Sequence, residues 1–120
     1  MKKIERFEDL KCWQESRILV KRVYELTNTE YLKRDWDTRS QFRIAALSIM
    51  NNIAEGFGRF SKKEKIRFFE YSSSSASEVK SMLYLFQDLK YLEEQQLNFL
   101  FEQVATTQKL TLGLIRYLKN

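Results

Sequence analysis

The chain has 120 residues, of which 43% are hydrophobic and 31% are charged, and this balance is typical of one globular domain. It contains no proline and only three glycines. Sandwiches and barrels of β-strands need many turns, and turns need both residue types, so the composition excludes those folds and favours a few long helices. The net charge of +5, with an isoelectric point of about 9.4, permits an anionic partner but does not require one.

The scarcity of two residue types limits the chemistry of the chain. Without histidine there is no Ser-His-Asp or Cys-His catalytic arrangement and no histidine-based zinc site. The single cysteine, Cys12, cannot form a disulfide within the chain. We therefore expect a protein that is not an enzyme and has no catalytic, cofactor-binding or metal-binding residues. The sequence has no signal peptide and no apolar stretch of 18 residues, so we expect a cytoplasmic location and no contact with a membrane.

The chain begins with a polar segment and a first amphipathic helix. Residues 1–9 are predicted to form a short arm, followed by one helical domain over residues 10–120. Asp9 is the predicted N-cap of a helix over residues 10–28, because its short side chain can accept an unpaired backbone N–H. The predicted buried face, at steps of three and four, consists of Cys12, Ser16, Leu19, Val23 and Leu26. Cys12 is therefore expected to be a small core residue rather than a reactive thiol.

A connection over residues 29–36, with room for one helical turn, leads to a second predicted helix over residues 38–57. Asp37 is its predicted N-cap. Its buried face consists of Phe42, Ala45, Ile49 and Ile53. Gly56 and Gly58 stand at its end, where glycine tolerates the positive φ that often closes a helix. Two of the three glycines thus predict one helix terminus.

The sequence Ser-Lys-Lys-Glu at residues 61–64 fits a capping box, in which serine and glutamate each bind the other's backbone N–H. It opens the longest predicted helix, over residues 62–90. A serine-rich run at residues 72–77 lies inside it, and such a run is often a flexible linker. The apolar periodicity keeps its phase through the run, so we predict a continuous helix whose small residues allow close approach of another helix. The periodic residues are Ile66, Phe69, Ser73, Ala76, Val79, Leu83 and Phe86.

A fourth helix is predicted over residues 94–118. Its inward residues are Leu97, Leu100, Phe101, Val104, Leu114, Ile115 and Leu118. Gln108 and Thr111 are expected to interrupt this face, and Gly113 is expected to mark a close contact. Four amphipathic helices with short connections predict an all-α fold, an antiparallel up-down-up-down four-helix bundle.

Basic residues concentrate in residues 37–67, where seven of them stand against three acidic residues, a net charge of +4. The seven, which form the predicted nucleic-acid-binding set, are Arg39, Arg43, Arg59, Lys62, Lys63, Lys65 and Arg67. Phe57 and Phe60 flank the loop at the centre of this cluster. Cations interleaved with aromatic rings suit single-stranded nucleic acid, through phosphate contacts and base stacking. The alternative is a solvated helix start with salt bridges to other faces, and on charge alone this alternative is the stronger one.

The acidic residues lead to two further expectations. Glu55 is the one acid within an otherwise apolar or small segment, and we expect a structural carboxylate bound to a neighbouring backbone group or arginine. Residues 91–108 carry three acidic residues and no basic one. Opposite patches on one chain also permit head-to-tail self-association into a ring.

Residues 38–59 resemble the most recognisable motif of the four-helix-bundle proteins encoded in intervening sequences of bacterial 23S rRNA genes. The core of that motif is Asn52, Ile53, Ala54, Glu55 and Gly56. The similarity continues on both sides, in residues 7–10 with Trp13, residues 61–64, residues 67–68 and residues 75–78. Two departures are visible, since many members have a proline where this chain has Met50 and a glycine where it has Ser74.

The resemblance implies an antiparallel four-helix bundle that assembles as a pentameric ring. It also implies kinship to the accessory proteins of diversity-generating retroelements, which bind a reverse transcriptase and nucleic acid. It supplies no catalytic residues. We therefore expect a non-enzymatic homo-oligomer without cofactors that binds RNA through the basic loop between the second and third predicted helices. The alternative is an oligomeric scaffold for a protein partner, with no direct binding of nucleic acid.

Overall fold

A computed structural model describes residues 3–120, and those residues form helices and loops without any strand. A 3-10 turn at Phe7–Asp9 precedes α1 (Lys11–Leu26), α2 (Glu30–Arg34), α3 (Trp36–Phe57), α4 (Lys62–Leu89) and α5 (Glu94–Lys119). The fold is all-α, and each long helix lies within two residues of its predicted bounds. Met1 and Lys2, at the start of the predicted arm, lie outside the described residues. None of the described helices combines the length and the apolar character that a membrane span needs.

The four long helices share one core, and each of them packs against two others. Helix α1 contacts α3 and α5, and α4 contacts the same two helices. Each helix carries an apolar stripe spaced at three and four residues, so burying all four stripes requires this mutual packing. The largest fully buried side chains include Leu19, Phe42, Ile49, Phe69, Leu83, Phe86 and Leu100. Cys12 lies in the core, as predicted, and burial raises the pKa of its thiol.

Two predicted N-caps are wrong. Asp9 closes the 3-10 turn, and Leu10, in extended conformation, precedes α1 without a side-chain cap. Helix α3 begins earlier than predicted, because Asp35 rather than Asp37 is its N-cap and accepts a first-turn N–H at 3.4 Å. The cause is α2, whose N-cap is Thr29. This short helix fills the connection, so α3 follows it after a single residue.

The serine-rich run lies in the middle of α4, which is continuous as predicted. On one side, the buried Ser72 hydroxyl donates to the Ile49 carbonyl oxygen of α3 at 2.9 Å. On the other side, Gln108 of α5 donates through Nε2 to the Ser73 carbonyl oxygen at 2.9 Å and to the Ser77 hydroxyl at 3.0 Å. The small side chains therefore bring α3 and α5 close to α4 and link both to it by hydrogen bonds.

The buried stripe of α5 is continuous at Thr111, where an interruption is predicted. The hydroxyl of Thr111 donates to the Thr107 carbonyl oxygen at 2.8 Å, and that of Thr107 donates to the Gln103 carbonyl oxygen at 2.9 Å. Both side chains are fully buried. Threonine is tolerated in this core because the helix itself accepts the hydroxyl proton.

The glycines do not have the predicted backbone conformation. No glycine has a positive φ among residues 3–120, and Gly58 closes α3 at φ −79° and ψ −5°. The N–H of Gly58 contacts the carbonyl oxygens of Ala54 and Glu55 at 3.3 and 3.2 Å, so α3 ends in a tightened right-handed turn. Lys90, at the end of α4, has the positive φ of 58° instead. Gly113 does not mark a close contact, since a methyl group there would meet its nearest neighbour at 3.7 Å.

One hydrogen bond links the start of α3 to the connection between α4 and α5. The Tyr91 hydroxyl donates to Oδ2 of Asp35 at 2.9 Å. Hydrogen bonds from Thr38 and Tyr91 lower the pKa of Asp35, and the bond to Asp35 raises the pKa of Tyr91. Tyr31 of α2 stacks on the Tyr91 ring, with ring centres 6.1 Å apart. Tyr91 thus joins two connections that are distant in sequence.

Replacing Ala76 with leucine is expected to destabilise the protein by about 1–3 kcal/mol, because the larger side chain must be forced into a buried contact of α4. Ser74→Leu is the matched control, since it adds the same side chain to the same helix at an exposed position. Denaturation with urea measures the free energy of unfolding of both variants. Equal losses in the two variants would contradict a close contact at Ala76.

The effect of Tyr91→Phe on stability is expected to depend on pH. A lowered pKa of Asp35 stabilises the fold above the ordinary aspartate value, and this contribution is lost as the pH falls through the lowered value. A raised pKa of Tyr91 stabilises the fold below the ordinary tyrosine value, and this contribution is lost as the pH rises through the raised value. The free energies of unfolding of wild type and variant should therefore differ most near about pH 7, and less near about pH 2 and pH 12. A difference that is constant across this range would refute the contribution of the bond.

Candidate nucleic-acid interface

The loop between α3 and α4 covers residues 58–61 and places the start of α4 at one end of the molecule. Ser61 is the N-cap of α4, and its hydroxyl oxygen accepts the Glu64 N–H at 3.1 Å. This is half of the predicted capping box. The Glu64 carboxylate is directed to Arg67, with its Oε2 3.7 Å from Nη1. A complete capping box occurs at the start of α5, between Glu93 and Gln96.

The structure does not bring the seven predicted basic residues onto one surface. Arg39 and Arg43 lie near the start of α3, and Arg59 stands 16 positions after Arg43, a separation of about 24 Å at the rise of a helix. Arg43 donates through Nε to the Thr27 hydroxyl at 2.9 Å and through Nη2 to the Tyr24 carbonyl oxygen at 3.3 Å. Its guanidinium carbon also lies 4.4 Å from the centre of the Tyr24 ring. Arg43 therefore fastens the end of α1 to α3.

Two of the five basic residues near the loop are held by neighbouring side chains. Arg59 Nη2 is 2.9 Å from Oε1 of Glu55, and its guanidinium carbon lies 4.3 Å from the centre of the Phe68 ring. Arg67 Nε donates to the Tyr71 hydroxyl at 2.7 Å. That hydrogen bond, together with the charge of Glu64, raises the pKa of Arg67. These two arginines form salt bridges, as the alternative interpretation expects, but the bridges are local, at spacings of four and three residues, and do not reach other faces.

Lys65 binds the end of α3. Its ammonium donates to the Phe57 carbonyl oxygen at 2.6 Å and lies 5.2 Å from the centre of the Phe57 ring. The last carbonyl groups of a helix have no partner within the helix and carry partial negative charge, so a cation there is favourable. Lys65 therefore has a structural role that the charge pattern does not reveal.

Lys62 and Lys63 differ from the other basic residues of the loop. Both are exposed, and among residues 3–120 no ion pair and no side-chain hydrogen bond engages either ammonium group. Phe60, two residues before Lys62, has a relative exposure of 104%, whereas Phe57 is half-buried against the core. The sequence leaves open which phenylalanine is available for stacking, and the structure places Phe60 in solvent. Two ammonium groups, one exposed ring and the N-terminus of α4 thus lie together, and this combination suits an anion with a planar group.

The family motif in the last turns of α3 has a structural role. Asn52 Nδ2 donates to the Ser48 carbonyl oxygen at 2.8 Å and to its hydroxyl at 2.9 Å. Ile53 is fully buried, and Ala54 is half-buried. Glu55 pairs with Arg59 four residues later, which agrees with the structural carboxylate expected from the sequence. No group of three or more acidic or cysteine side chains within residues 3–120 is placed to hold a metal ion.

Gly56 is required by packing and not by a special φ. A methyl group at this position would lie 2.8 Å from Cε1 of Phe69 and 3.0 Å from Cβ of Phe68. Both aromatic residues belong to the first turns of α4, so Gly56 sets how closely α3 and α4 approach beside the loop. The same approach places Phe68 against Arg59.

Sequence reasoning missed the partners of these side chains. Arg67 and Tyr71 are four residues apart on α4, and Glu55 and Arg59 have the same spacing across the end of α3, so the spacing is a signal that could have revealed both pairs. The contact of Arg59 with Phe68 joins the loop to α4, so spacing along one helix gives no sign of it.

Gly56→Ala is expected to destabilise the protein by about 1–3 kcal/mol, because Phe69 must move to admit the methyl group. Gly58→Ala is the control, since its φ suits alanine and the added methyl would meet the nearest atom at an ordinary 3.6 Å. Thermal and urea unfolding of the two variants provide the comparison. If alanine is tolerated equally at both positions, the packing role assigned to Gly56 is wrong.

The family of the chain follows from a sequence comparison. No curated protein sequence matches the chain. A family model described as 23S rRNA-intervening sequence protein matches residues 8–113 of its 120 residues. The matched region runs from the 3-10 turn to the last turns of α5 and includes the loop between α3 and α4. The chain therefore belongs to the 23S rRNA-intervening sequence protein family.

Proposed function

We propose that the protein is a non-enzymatic, cytoplasmic homo-oligomer that binds RNA through the start of α4. The observation that carries this proposal is the group formed by Lys62, Lys63 and Phe60. Two exposed ammonium groups without partners among the described residues lie beside a fully exposed aromatic ring. Lysines neutralise backbone phosphates, and an aromatic ring stacks on a base of any sequence. The surface therefore suits a single strand with little sequence preference.

The proposal includes an antiparallel up-down-up-down four-helix bundle as the scaffold. Contacts between α3 and α4 support it, because the residue number falls on one helix as it rises on the other. Ile49 meets Ser72, and Gln41 meets Glu78 with Nε2 3.4 Å from Oε2. The same reversal occurs between α4 and α5, where Ser73 meets Gln108 and Tyr84 meets Phe101. It also occurs between α1 and α5, where Glu15 meets Gln103 and Arg22 meets Phe99.

A ring of subunits would strengthen binding at such a small site. Several copies of one loop around an axis sum weak contacts into useful affinity. The pentamer implied by the family resemblance is part of this proposal. Trp36 and Ile44, both 62% exposed, stand eight residues apart on α3 beside a groove between α3 and α4, and apolar side chains placed in this way favour contact between subunits. The exposed Glu93 and Glu94 lie at the opposite end of α4 from Lys62, which also suits head-to-tail contacts.

An oligomeric scaffold for a protein partner is the second candidate. It is favoured by the engagement of Arg43, Arg59, Lys65 and Arg67 within the chain, which leaves less positive charge for phosphates than the sequence suggests. The predicted kinship to retroelement accessory proteins, which bind a reverse transcriptase, is compatible with both candidates. RNA binding by variants of the loop distinguishes the two.

The double variant Lys62→Glu with Lys63→Glu is expected to weaken binding of a fluorescently labelled single-stranded RNA, measured by anisotropy at several salt concentrations. Each lost phosphate contact should flatten the slope of log affinity against log salt by about 0.7 per subunit. Phe60→Ala should lower affinity by about 1–3 kcal/mol per stacked base while leaving the salt slope unchanged. The fold should persist in both variants. The charges of Lys62 and Lys63 are exposed and contribute little to stability, and the Phe60 ring lies outside the core.

Lys21→Glu with Lys80→Glu is the matched control, since both lysines are exposed on long helices and the change in net charge is the same. Light scattering of each variant reports whether the subunit number is kept. Equal losses of affinity in the two double variants would refute a site at the start of α4. Absence of RNA binding by the unaltered protein at low salt would leave the scaffold as the better candidate.

A further inference from the structure

An apolar cavity of about 520 Å³ lies at the end of the molecule where α3 ends. Its walls come from the arm before α1, the end of α3, the start of α4 and the end of α5, and they include Leu10, Phe57, Phe69 and Leu114. Its polar contributors include the two lysines Lys3 and Lys65. Small-molecule sites in proteins commonly have volumes of about 300–1,000 Å³, apolar walls and a few well-placed polar groups.

Within residues 3–120, no carboxylate balances the positive charge at this cavity. Lys65 is half-buried, and no carboxylate lies within 4 Å of its ammonium among residues 3–120. The Phe57 carbonyl oxygen accepts one N–H of this ammonium at 2.6 Å, and an ammonium has three such donors. None of the described residues that line the cavity is acidic. A half-buried cation beside apolar walls is stabilised most by an anion that brings its own acceptors.

We propose that this cavity binds a small amphipathic carboxylate, an aliphatic chain or ring that bears one carboxyl group. The apolar part lies against Phe57, Phe69 and Leu114, and the carboxylate accepts hydrogen bonds from Lys65, with Lys3 adding positive charge. A neutral apolar ligand would displace water from the ammonium without replacing its hydrogen bonds, which is unfavourable. A nucleotide or a phosphate strand is a poor fit, since its polar sugar and phosphate groups would face the apolar walls. The site is separate from the proposed RNA surface, so it does not depend on RNA binding.

Three ligands with the same eight-carbon chain test the proposal on the unaltered protein by calorimetry: octanoate, octan-1-ol and octylammonium. Octanoate is expected to bind at least about tenfold more tightly than octan-1-ol, because a hydrogen bond to a charged group is worth more than one to a neutral group. Octylammonium is expected not to bind. Equal affinities for octanoate and octan-1-ol, or no binding of octanoate, would overturn the proposal.

Two variants and one control variant locate the binding site. Lys65→Met keeps the apolar stem and removes the charge, so the preference for octanoate over octan-1-ol should disappear. Lys80→Met, at an exposed position elsewhere on α4, should leave it unchanged. Leu114→Trp places a larger side chain against the cavity and should reduce binding of both ligands about tenfold or more, with circular dichroism reporting the fold. An octanoate preference that survives in Lys65→Met, or full binding by Leu114→Trp, would place the ligand elsewhere and refute the assignment. A change in the number of subunits per assembly in Leu114→Trp, measured by light scattering, together with no octanoate binding by the unaltered protein, would mean that a second copy covers this cavity. That result also contradicts the proposal.

Discussion

The close approach of α3 and α4 is the constraint on which the other features depend. It rests on small residues at the contact. Gly56 leaves no room for a methyl group against Phe69, Ala76 is buried, and the Ser72 hydroxyl binds the Ile49 carbonyl oxygen directly. Because the helices meet so closely next to their connection, the loop of residues 58–61 is short and the start of α4 lies beside the end of α3. The cavity and the exposed lysines both lie at this junction.

The basic residues near this junction fall into two groups with different contacts, although a count of charges treats them all alike. Arginine has a planar group that stacks on aromatic rings and binds a carboxylate at the same time, and Arg59 does both, with Phe68 and Glu55. Arg43 has a similar role at the other end of α3, where it binds the end of α1. Among the residues that the structure describes, Lys62 and Lys63 have no such contacts. Net charge over a segment therefore overstates the surface that is open to an anionic partner.

Helical periodicity predicted the four long helices, most of their buried faces and the continuity of α4 through its serines, because burial of one apolar stripe per helix dominates the fold. The N-caps Asp9 and Asp37 and the glycine conformations were predicted incorrectly. Each of those details depends on the neighbouring chain: α2 occupies the connection before α3, and Gly56 is needed for the Phe69 ring rather than for its own φ. Within the predicted basic set, Arg43 and Lys65 are engaged by groups on other elements, and spacing along one helix does not reveal those contacts. Arg59 and Arg67 instead pair with residues four positions away, a spacing that the sequence does show.

The helix dipoles explain why neighbouring lysines differ in role. The end of α3 carries partial negative charge and the start of α4 carries partial positive charge, and the two lie a few residues apart. Lys65 belongs to the first turn of α4, and its ammonium reaches back to the Phe57 carbonyl oxygen at the end of α3, where a cation is favourable. Lys62 and Lys63 stand instead at the positive end of a dipole, which is unfavourable for the folded chain. In the proposed RNA complex, a backbone phosphate at this helix start would offset the unfavourable interaction of the two lysines with the dipole.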